Sequence, residues 1–291
     1  MSRKKYIPYL YILPGLLMVV FFVFIPVISN IVYSFFRLSS YSSDASFVGL
    51  DNYRRLFSDD TFFTMLKNNI LYALFSFVFQ IGFGTVIALM LESKLAGRFR
   101  NIYRNIYFMP SLVSLVAVGL LFTFIYTPDL GLLNSALRAL GLEQWTQAWL
   151  GDSKYAIYCI ILMSQWQWVG YNVVLLVVAI QNVPSDYLEA ATIDGAGAVK
   201  KAWYVTIPLI KEQILVCSII AIIGAFKLFT EVYSTTAGGP GDKTQVLGLY
   251  LYQNAFLHDD LGMAAATGVF IFVVTVVISI FQIRITKSGQ V

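Results

Sequence analysis

Five residues able to contact a polar ligand recur along one long apolar segment of the chain. At about 100° per residue they share an arc of about 120° on a helix; they are Ser164, Gln165, Trp168, Tyr171 and Asn172. An aromatic ring stacks on the apolar face of a pyranose, and amides and hydroxyls meet its OH groups. The pattern therefore favours contact with a sugar. It is also typical of tryptophan anchors at a membrane interface and of amides bonded to a neighbouring helix.

The next apolar segment carries two charged residues on a face with small side chains. An arc of about 160° on a helix would hold Ile220, Ala221, Gly224, Ala225, Lys227, Leu228, Glu231 and Thr235. Lys227 and Glu231 are four residues apart and can pair, which lowers the cost of about 2.5–3.5 kcal/mol for a charge at membrane depth. The pair is either structural or borders a polar path, and Gly224 and Ala225 leave room for such a path.

The sequence contains no recognisable catalytic or metal-binding pattern. It has no GxxxxGK[ST], HExxH, CxxC or GxSxG. Cys159 and Cys217 fall in apolar segments, where each is typical of a small buried side chain. His258 is the single histidine, so a metal site beside it would lack ligands. We therefore expect no enzyme, no bound metal and no cofactor held by this chain.

Composition indicates which elements must position these residues. The 291 residues are 58% hydrophobic and 12% charged, against about 25% charged in soluble domains. Runs of about 20 apolar residues can each cross a bilayer as a helix. Six such segments occur, at 9–36, 69–91, 106–126, 155–180, 214–235 and 262–285. The sequence predicts an all-α integral membrane protein with six transmembrane helices in a single domain, 1–291.

The distribution of Lys and Arg predicts the orientation. With the N-terminus inside, twelve basic residues are cytoplasmic: Arg3, Lys4, Lys5, Lys94, Arg98, Arg100, Arg104, Lys200, Lys201, Lys211, Arg284 and Lys287. Seven are outside: Arg37, Arg54, Arg55, Lys67, Arg138, Lys154 and Lys243. This bias places both termini in the cytoplasm of a multi-pass plasma-membrane protein. The net charge of +4 is then a topology signal, and no nucleic-acid partner is needed to explain it.

The polar stretch 181–213, between the fourth and fifth segments, predicts a short cytoplasmic coupling helix. Asp186 and Glu189 are three residues apart and can form a capping pair at a helix start. Ala190 and Ala191 keep that helix thin, so another backbone can approach. Gly195 is expected to end it. A second short helix is expected at about 198–206, and Pro208 is expected in the first turn of the next span.

A longer pattern in this stretch resembles a known family. Glu189-Ala190-Ala191, three residues, Gly195, nine residues and Val205-Thr206-Ile207-Pro208 resemble the signature of membrane subunits of binding-protein-dependent ABC importers. The chain is similar to the sugar branch, which holds maltose, lactose, raffinose and glycerol-3-phosphate permeases. Members often carry aromatics where this chain has Val199 and Ala202, which puts the details of ATPase pairing in doubt.

A second pattern supports the resemblance independently. Residues 236–244 read T-x-G-G-P-G-x-x-T, with Gly238, Gly239 and Pro240 at the turn, and resemble an outer loop of the same family. Tyr11-Ile12-Leu13-Pro14-Gly15 near the start of the chain also fits. Together the patterns cover nearly the whole sequence.

The resemblance implies partners and site residues. In that family the coupling loop enters a cleft on an ATPase, which implies an ATPase-docking set of Asp186, Glu189, Ala190, Ala191, Asp194, Gly195, Ala196 and Pro208. Glu189 would be the polar contact and Gly195 the bend. The implied partners are a second homologous permease, two ATPase subunits that bind the ATP, an extracytoplasmic sugar-binding protein and membrane lipid. Family substrate contacts come from the fourth and fifth spans, where the polar residues above lie.

The sequence leaves rival functions to be considered. An ion-coupled secondary carrier would need carboxylates within the membrane, and Glu231 is the one candidate. A membrane-embedded enzyme would need a His, Asp or Glu cluster near the bilayer face, which the sequence lacks. A scaffold protein would not need the two loops together. Which sugar or polyol is carried cannot be read from the residues.

Overall fold

The computed structural model describes residues 7–41, 45–93 and 96–288. Four basic residues that contribute to the orientation prediction, Arg3, Lys4, Lys5 and Lys94, lie outside the described residues. The one antiparallel strand pair in the described part joins β1 (Phe36–Arg37) to β2 (Ser46–Phe47), with Phe36 opposite Phe47. The rest of the regular structure there is helical, which confirms the predicted all-α class.

The helices are numbered here in chain order. They are α1 (Ile7–Val19, a π turn at Val20–Phe24, Ile25–Tyr33), α2 (Asp51–Ser58), α3 (Phe62–Ser76, a π turn at Phe77–Phe83, Gly84–Leu91), α4 (Gly97–Phe99, Arg100–Phe108, Met109–Leu112), α5 (Leu115–Ile125), α6 (Leu132–Ala139), α7 (Ala156–Gln181), α8 (Ser185–Ile193), α9 (Ala198–Lys201, Ala202–Thr206, Ile207–Leu209), α10 (Lys211–Phe226), α11 (Thr230–Tyr233), α12 (Leu247–Tyr252, a π turn at Gln253–Leu257) and α13 (Leu261–Ser288). A short 3₁₀ turn lies at Glu143–Trp145.

The chain divides into two compact units. The first holds the residues up to 62 together with 250–273, and the second holds 63–249 and the end of the chain from 274. In the first unit, buried Asn52 donates from Nδ2 to the carbonyls of Ser34 and Phe36, at 2.9 Å each. Arg55 pairs with Asp260 at 2.7 Å. These contacts tie α2 to the strand pair and to the start of α13.

In the second unit, α7 is the central helix. Its apolar side chains Val173, Leu176 and Val177 are fully buried and pack in one cluster with Ile81 of α3 and Cys217 of α10. Of the four long apolar helices in the described ranges, α7 has the largest buried share, 61% of its most apolar window, and it leaves Tyr158, Leu162, Trp166 and Val178 exposed. The polar residues predicted for the fourth span therefore project from the most enclosed helix of this unit.

Four of the described helices are long and apolar enough to cross a bilayer, and two bent pairs bring the number to six if each pair is one span. The long ones are Tyr9–Tyr33, Phe62–Leu91, Ala156–Gln181 and Leu261–Thr286. The bent pairs are Gly97–Leu112 with Leu115–Ile125, at 94°, and Ala198–Leu209 with Lys211–Phe226, at 71°.

The predicted segment 106–126 is not one straight helix. Val113 and Ser114 are extended, with ψ of 141° and 131°, so α4 ends and α5 begins there. The Val113 carbonyl loses its helical partner at this break. The buried amide of Gln167 in α7 donates to it at 3.0 Å, which supplies the missing hydrogen bond.

The predicted segment 214–235 is also interrupted. Helix α10 ends at Phe226, and Phe229 has φ −146° and ψ −62°, outside the helical region. Buried Asn69 of α3 stabilises this end: its Nδ2 donates to the Ala225 carbonyl at 2.6 Å, and its Oδ1 accepts from the Leu247 amide at 3.0 Å. The tertiary contact replaces helical hydrogen bonds, so the helical arc expected for residues 220–235 does not continue past Phe226.

Gly170 sets the distance between α7 and α4, and its replacement tests that packing. A Cβ on Gly170 would collide with the Tyr107 carbonyl oxygen and lie 3.0 Å from the Phe108 nitrogen. We expect Gly170→Ala to lower the free energy of unfolding by about 1–3 kcal/mol. A matched control is Gly82→Ala, since a Cβ there would have only the Phe77 carbonyl oxygen nearby, at 3.9 Å. Thermal unfolding in detergent measures both, and equal melting temperatures would contradict the close approach.

Candidate functional site

The predicted coupling segment folds as two short helices, α8 and α9, joined by a glycine turn. The residue at the N-cap of α8 is Pro184, with ψ 135°, and no side chain caps the helix there. The predicted capping pair of Asp186 and Glu189 therefore does not form, because Asp186 already lies inside the first turn. Its carboxylate still favours the helix start through the helix dipole.

Gly195 ends α8 in the way its position predicted. Its φ is +77°, in the left-handed region that suits glycine. The Gly195 amide donates to the Thr192 carbonyl at 3.0 Å, and the Ala196 amide donates to the Ala191 carbonyl at 2.9 Å. These two bonds are the Schellman pattern of a helix C-terminus, with Asp194 as the C-cap. The turn leads directly into α9, which Lys201 Nζ ties back to Thr192 Oγ1 at 2.6 Å.

The two helices expose large apolar side chains around a carboxylate. We define the docking surface as Glu189 together with five exposed residues: Tyr187 (55% exposed), Ile193 (87%), Val199 (82%), Trp203 (65%) and Tyr204 (75%). Glu189 and Ala190 are exposed as well, and Ala191 and Ala196 are half-buried. Exposed aromatic and aliphatic residues in one short segment are what a site of contact with a partner would need. Trp203 and Tyr204 supply aromatic surface beside Val199 and the half-buried Ala202.

Pro208 does not begin the next span. It lies in the last part of α9, Ile207–Leu209, ahead of the bend at Ile210 (φ −96°, ψ 10°). Helix α10 starts only at Lys211. The π turn Ala202–Thr206 continues into Ile207–Leu209 without a break. Pro208, predicted to start a helix, therefore lies within α9.

The five polar residues of α7 separate into two groups. The rings of Trp168 and Tyr171 are half-buried and meet edge to face, with centroids 6.3 Å apart. Ser164, Gln165 and Asn172 are buried. Contact with a sugar therefore remains possible only for Trp168 and Tyr171, because the other three side chains are buried.

The buried amides of α7 bond to α3, as in the second interpretation, in which they bond to a neighbouring helix. Gln80 of α3 donates from Nε2 to Gln165 Oε1 at 2.9 Å and accepts from Asn172 Nδ2 at 3.1 Å. The Gln80 amide also approaches Ser76 Oγ at 3.3 Å. Through these bonds to Gln80, Gln165 and Asn172 hold α7 against the π turn of α3, and each also donates to a carbonyl within α7.

A row of polar residues on α3 completes this network, and the sequence reading did not single it out. Asn69, Tyr72, Ser76 and Gln80 are all buried, and their spacing of three, four and four residues puts them on one face of the helix. Polar residues at helical spacing inside an otherwise apolar span are a signal that the sequence does contain.

The Glu231 side chain contacts this row of α3 residues and does not pair with Lys227. Its side chain is 7% exposed, and its Oε1 accepts from the Tyr72 hydroxyl at 3.4 Å. The same hydroxyl bonds to Ser164 Oγ of α7. Lys227 is exposed, and within the part of the chain that the structure describes the two residues form no ion pair. The predicted pairing needed a continuous helix, which ends at Phe226.

The other residues predicted for the fifth span also face in different directions. Gly224 is exposed, and a Cβ there would meet open space. Ala225 and Leu228 are buried, at 0% and 2% exposure. The Leu228 carbonyl lies against Gly248, where a side chain would collide with it. Of the residues predicted to border a path, Gly224 and Lys227 are therefore exposed, and Ala225, Leu228 and Glu231 are enclosed.

The predicted outer turn is closed by its own hydrogen bonds. Gly238 has φ +97°, and the Gly239–Pro240 peptide is cis. Thr244 Oγ1 donates to the Gly239 carbonyl at 2.7 Å, and the Thr244 amide donates to the Gly238 carbonyl at 3.1 Å. Buried Asn68 of α3 donates to the carbonyls of Lys243 and Gln245, at 2.9 and 2.8 Å, so the turn is anchored on α3.

Metal chemistry has no basis in these residues. Across the described ranges no group of three or more His, Cys, Asp or Glu side chains could hold a metal ion. The described residues thus offer an exposed apolar segment at α8 and α9 and a buried polar interface between α3 and α7.

Comparison with known proteins identifies the family. The model of the family described as "Binding-protein-dependent transport system inner membrane component" matches residues 80–288. The chain is 41% identical over 289 residues to the probable ABC transporter permease protein YurN of Bacillus subtilis, covering 99% of each chain. It is 35% identical to the arabinooligosaccharides transport system permease protein AraP of Halalkalibacterium halodurans, covering 99% of this chain and 90% of that one.

A solved structure shares the fold. It is a bacterial alginate ABC transporter in complex with a periplasmic protein bound to an alginate pentasaccharide. The match has a TM-score of 0.84 at 23% identity and covers 98% of this chain and 96% of the other.

The Tyr72 hydroxyl joins Glu231 to Ser164 by donating to the carboxylate and accepting from the Ser164 hydroxyl, and removing it tests the row. Tyr72→Phe keeps the ring but leaves the buried Glu231 carboxyl without this donor, so we expect a loss of about 1–3 kcal/mol in unfolding free energy. Ser164→Ala in the same background should cost less than it does alone, because the partners are shared. The control is Tyr103→Phe, whose ring is 45% exposed. Thermal unfolding with equal losses for Tyr72→Phe and Tyr103→Phe would contradict the network.

Proposed function

This chain belongs to the family of binding-protein-dependent transport system inner membrane components, and from that premise we propose that it is the permease subunit of an ATP-driven sugar importer. A permease of this kind is not an enzyme, since the ATPase is a separate subunit. The docking surface is the observation that carries the proposal. It combines an exposed carboxylate, five exposed large apolar side chains and a glycine-terminated helix in one cytoplasmic segment.

The substrate is a sugar of the oligosaccharide type. Relatives that align with this chain nearly end to end include an arabinooligosaccharide permease. The half-buried Trp168 and Tyr171 provide ring faces and edges of the kind that contact pyranoses. The exposed Gly224 leaves open space on α10 for a substrate. The ion-coupled carrier is not supported, because the relatives are ABC permeases and Glu231 is enclosed by Tyr72 and Ser164.

Coupling to the ATPase uses the two ends of the docking segment. When the ATPase pair closes on ATP, it pulls α8 and α9 as a unit, because Lys201 and Thr192 join them. The motion reaches α10 through the bend at Ile210. Since Asn69 fixes the other end of α10 to α3, a displacement at Lys211 is converted into tilting of α10. The ATP is bound by the ATPase subunits and not by this chain.

The assembly contains further partners. We infer a second homologous permease, two ATPase subunits and an extracytoplasmic sugar-binding protein, with both termini of this chain in the cytoplasm. Helix α1 exposes its side chains over Tyr9–Tyr33, as expected where lipid or another subunit covers a span. The outer turn at Gly238–Pro240 is rigidly held by Thr244 and Asn68, which suits a fixed contact for the binding protein.

The turn at Gly195 provides a test of docking that leaves the spans untouched. Gly195→Val forces a β-branched residue into positive φ, so we expect loss of uptake and of ATPase recovery in a detergent pull-down. Gly195→Asn is the matched control, because asparagine tolerates the left-handed region and should retain most uptake. No neighbour lies within 4 Å of a Cβ at this position, so the two variants differ in backbone strain and not in a steric clash at Cβ.

Glu189→Lys should reduce ATPase recovery in the same pull-down without changing the helix turn. Uptake by Gly195→Val at the level of Gly195→Asn, with the ATPase still bound, would contradict the docking role. Recovery of the chain without any ATPase or second permease, in wild type and variants alike, would contradict the importer itself.

The aromatic pair of α7 tests the substrate path. We expect Trp168→Ala or Tyr171→Ala to change the preference among oligosaccharides or to lower uptake about fivefold, since a lost ring contact costs about 1 kcal/mol. The control is Trp166→Ala, a neighbouring residue that is 45% exposed and packs on Phe122 at 5.4 Å. Sugar uptake in whole cells is compared at equal membrane content. If both variants have the sugar preference and uptake rate of Trp166→Ala, Trp168 and Tyr171 serve only in packing.

A further inference from the structure

A cavity of about 540 Å³ in the second unit is lined by three lysines and lies apart from the docking surface and the aromatic pair. Lys67 comes from α3, Lys154 from the residues just before α7, and Lys243 from the outer turn. We call this the lysine cavity. Each of these lysines is exposed, and no carboxylate lines the cavity in the described ranges. Asp242 precedes Lys243 in the chain, but it is not among the lining residues, and three cations that line one space without a carboxylate in the lining attract an anion.

The cavity is built by contacts within the unit. The amide of Asn68, next to Lys67, holds the Lys243 carbonyl at 2.9 Å and so brings these two lysines to the same end of α3. Asp152, the nearest carboxylate in sequence to Lys154, accepts the Lys154 amide at 2.8 Å and is not among the lining residues. The N-terminal end of the 26-residue helix α7 also meets the cavity at Tyr155 and Ile157. Its dipole adds positive potential.

An apolar groove adjoins the lysine cavity along α3. Its volume is about 390 Å³, and we call it the α3 groove. It is lined by Phe63, Leu66, Lys67, Ile70, Leu71 and Leu74. Lys67 and Leu71 line both spaces, so the basic cavity and the apolar groove are continuous. From Phe63 to Leu74 the groove extends about 16 Å at 1.5 Å per residue.

The position along α3 matches the depth of lipid headgroups. From Phe62 to Leu91, α3 has 30 residues and is about 45 Å long, against about 30 Å for the hydrocarbon core of a bilayer. The first turns of α3 therefore extend into the headgroup region. The charge distribution places Lys67, Lys154 and Lys243 together on the outer side.

We propose that the lysine cavity and the α3 groove bind one anionic phospholipid of the outer leaflet. The phosphate lies among Lys67, Lys154 and Lys243, and an acyl chain follows the groove past Ile70 and Leu74. A free acidic sugar would share the charge of the headgroup but would leave the groove uncovered, which is why the lipid is favoured. The bound lipid covers apolar surface on α3 and neutralises the cavity. The site rests on the orientation given under the proposed function, with the three lysines on the outer side, and not on which cargo is carried.

Native mass spectrometry of the full chain tests the proposal. The protein is reconstituted in phosphatidylcholine vesicles that contain a minor fraction of phosphatidylglycerol. It is then extracted, and the mass of the protein with its bound lipid is measured. We expect retained phosphatidylglycerol in excess of its share in the vesicle. Each of Lys67→Gln, Lys154→Gln and Lys243→Gln should lower that excess about fivefold, since one lysine near an anionic lipid contributes on the order of 1 kcal/mol.

The matched control is Arg54→Gln, which removes an exposed positive charge on the same predicted side but outside the cavity. It should leave the lipid excess unchanged. Ile70→Gln keeps all three lysines and should still lower the excess, because it places an amide in the groove. Thermal unfolding confirms that each variant is folded.

Three results would overturn the proposal. In the first, a variant that combines Lys67→Gln, Lys154→Gln and Lys243→Gln retains phosphatidylglycerol like the wild type. In the second, Arg54→Gln loses it equally, so that the binding is general surface attraction. In the third, excess inorganic phosphate or galacturonate displaces the lipid from wild type and binds in its place, so that the cavity takes soluble anions.

Discussion

The structure of the second unit depends on side chains that satisfy backbone groups where helices stop inside the membrane. Within the bilayer core a free carbonyl or amide costs several kcal/mol, so a helix can end there only if another group supplies its hydrogen bonds. Asn69 does so at the end of α10, and Gln167 does so at the break between α4 and α5. Each break is thereby fixed in place by a residue of a neighbouring long helix. The shapes of the bent helices follow from these contacts.

This dependence explains which elements could be predicted from the sequence. Long apolar runs and charge bias are local signals, and they gave the membrane class and the four long helices. The turn at Gly195 was also predictable, because a glycine at a helix end is a local conformational requirement. The end of α10 was not, because it is determined by Asn69, which lies 156 residues away from Ala225 in the chain. The same long-range contact removed the expected pairing of Lys227 with Glu231.

The candidate site shows the same division between local and long-range signals. Spacing on α7 correctly grouped its polar residues, but it could not tell an open face from a buried one. Contacts from α3 decide between them, since Gln80 bonds to both amides, and the rings of Trp168 and Tyr171 remain half-buried. Asp186 illustrates the opposite limit. Its spacing to Glu189 fits a cap, yet Pro184 starts the helix, and the carboxylate acts through the dipole instead.

The rigid row and the breaks together determine where motion can occur. Helix α7 is continuous from Ala156 to Gln181 and is bonded to α3 through Gln80 and Tyr72, so the two move as one body. Between α7 and α8 the chain leaves the helical region at Pro184, and between α9 and α10 it bends at Ile210. In the proposed coupling, a force applied to α8 and α9 is absorbed at these two junctions, because Lys201 bridges the glycine turn to Thr192 and Gln80 and Tyr72 hold α3 to α7. On the proposed function, tilting of α10 against the α3–α7 body changes the open space beside Gly224, so an event at α8 and α9 reaches the exposed side of α10 without deforming the core.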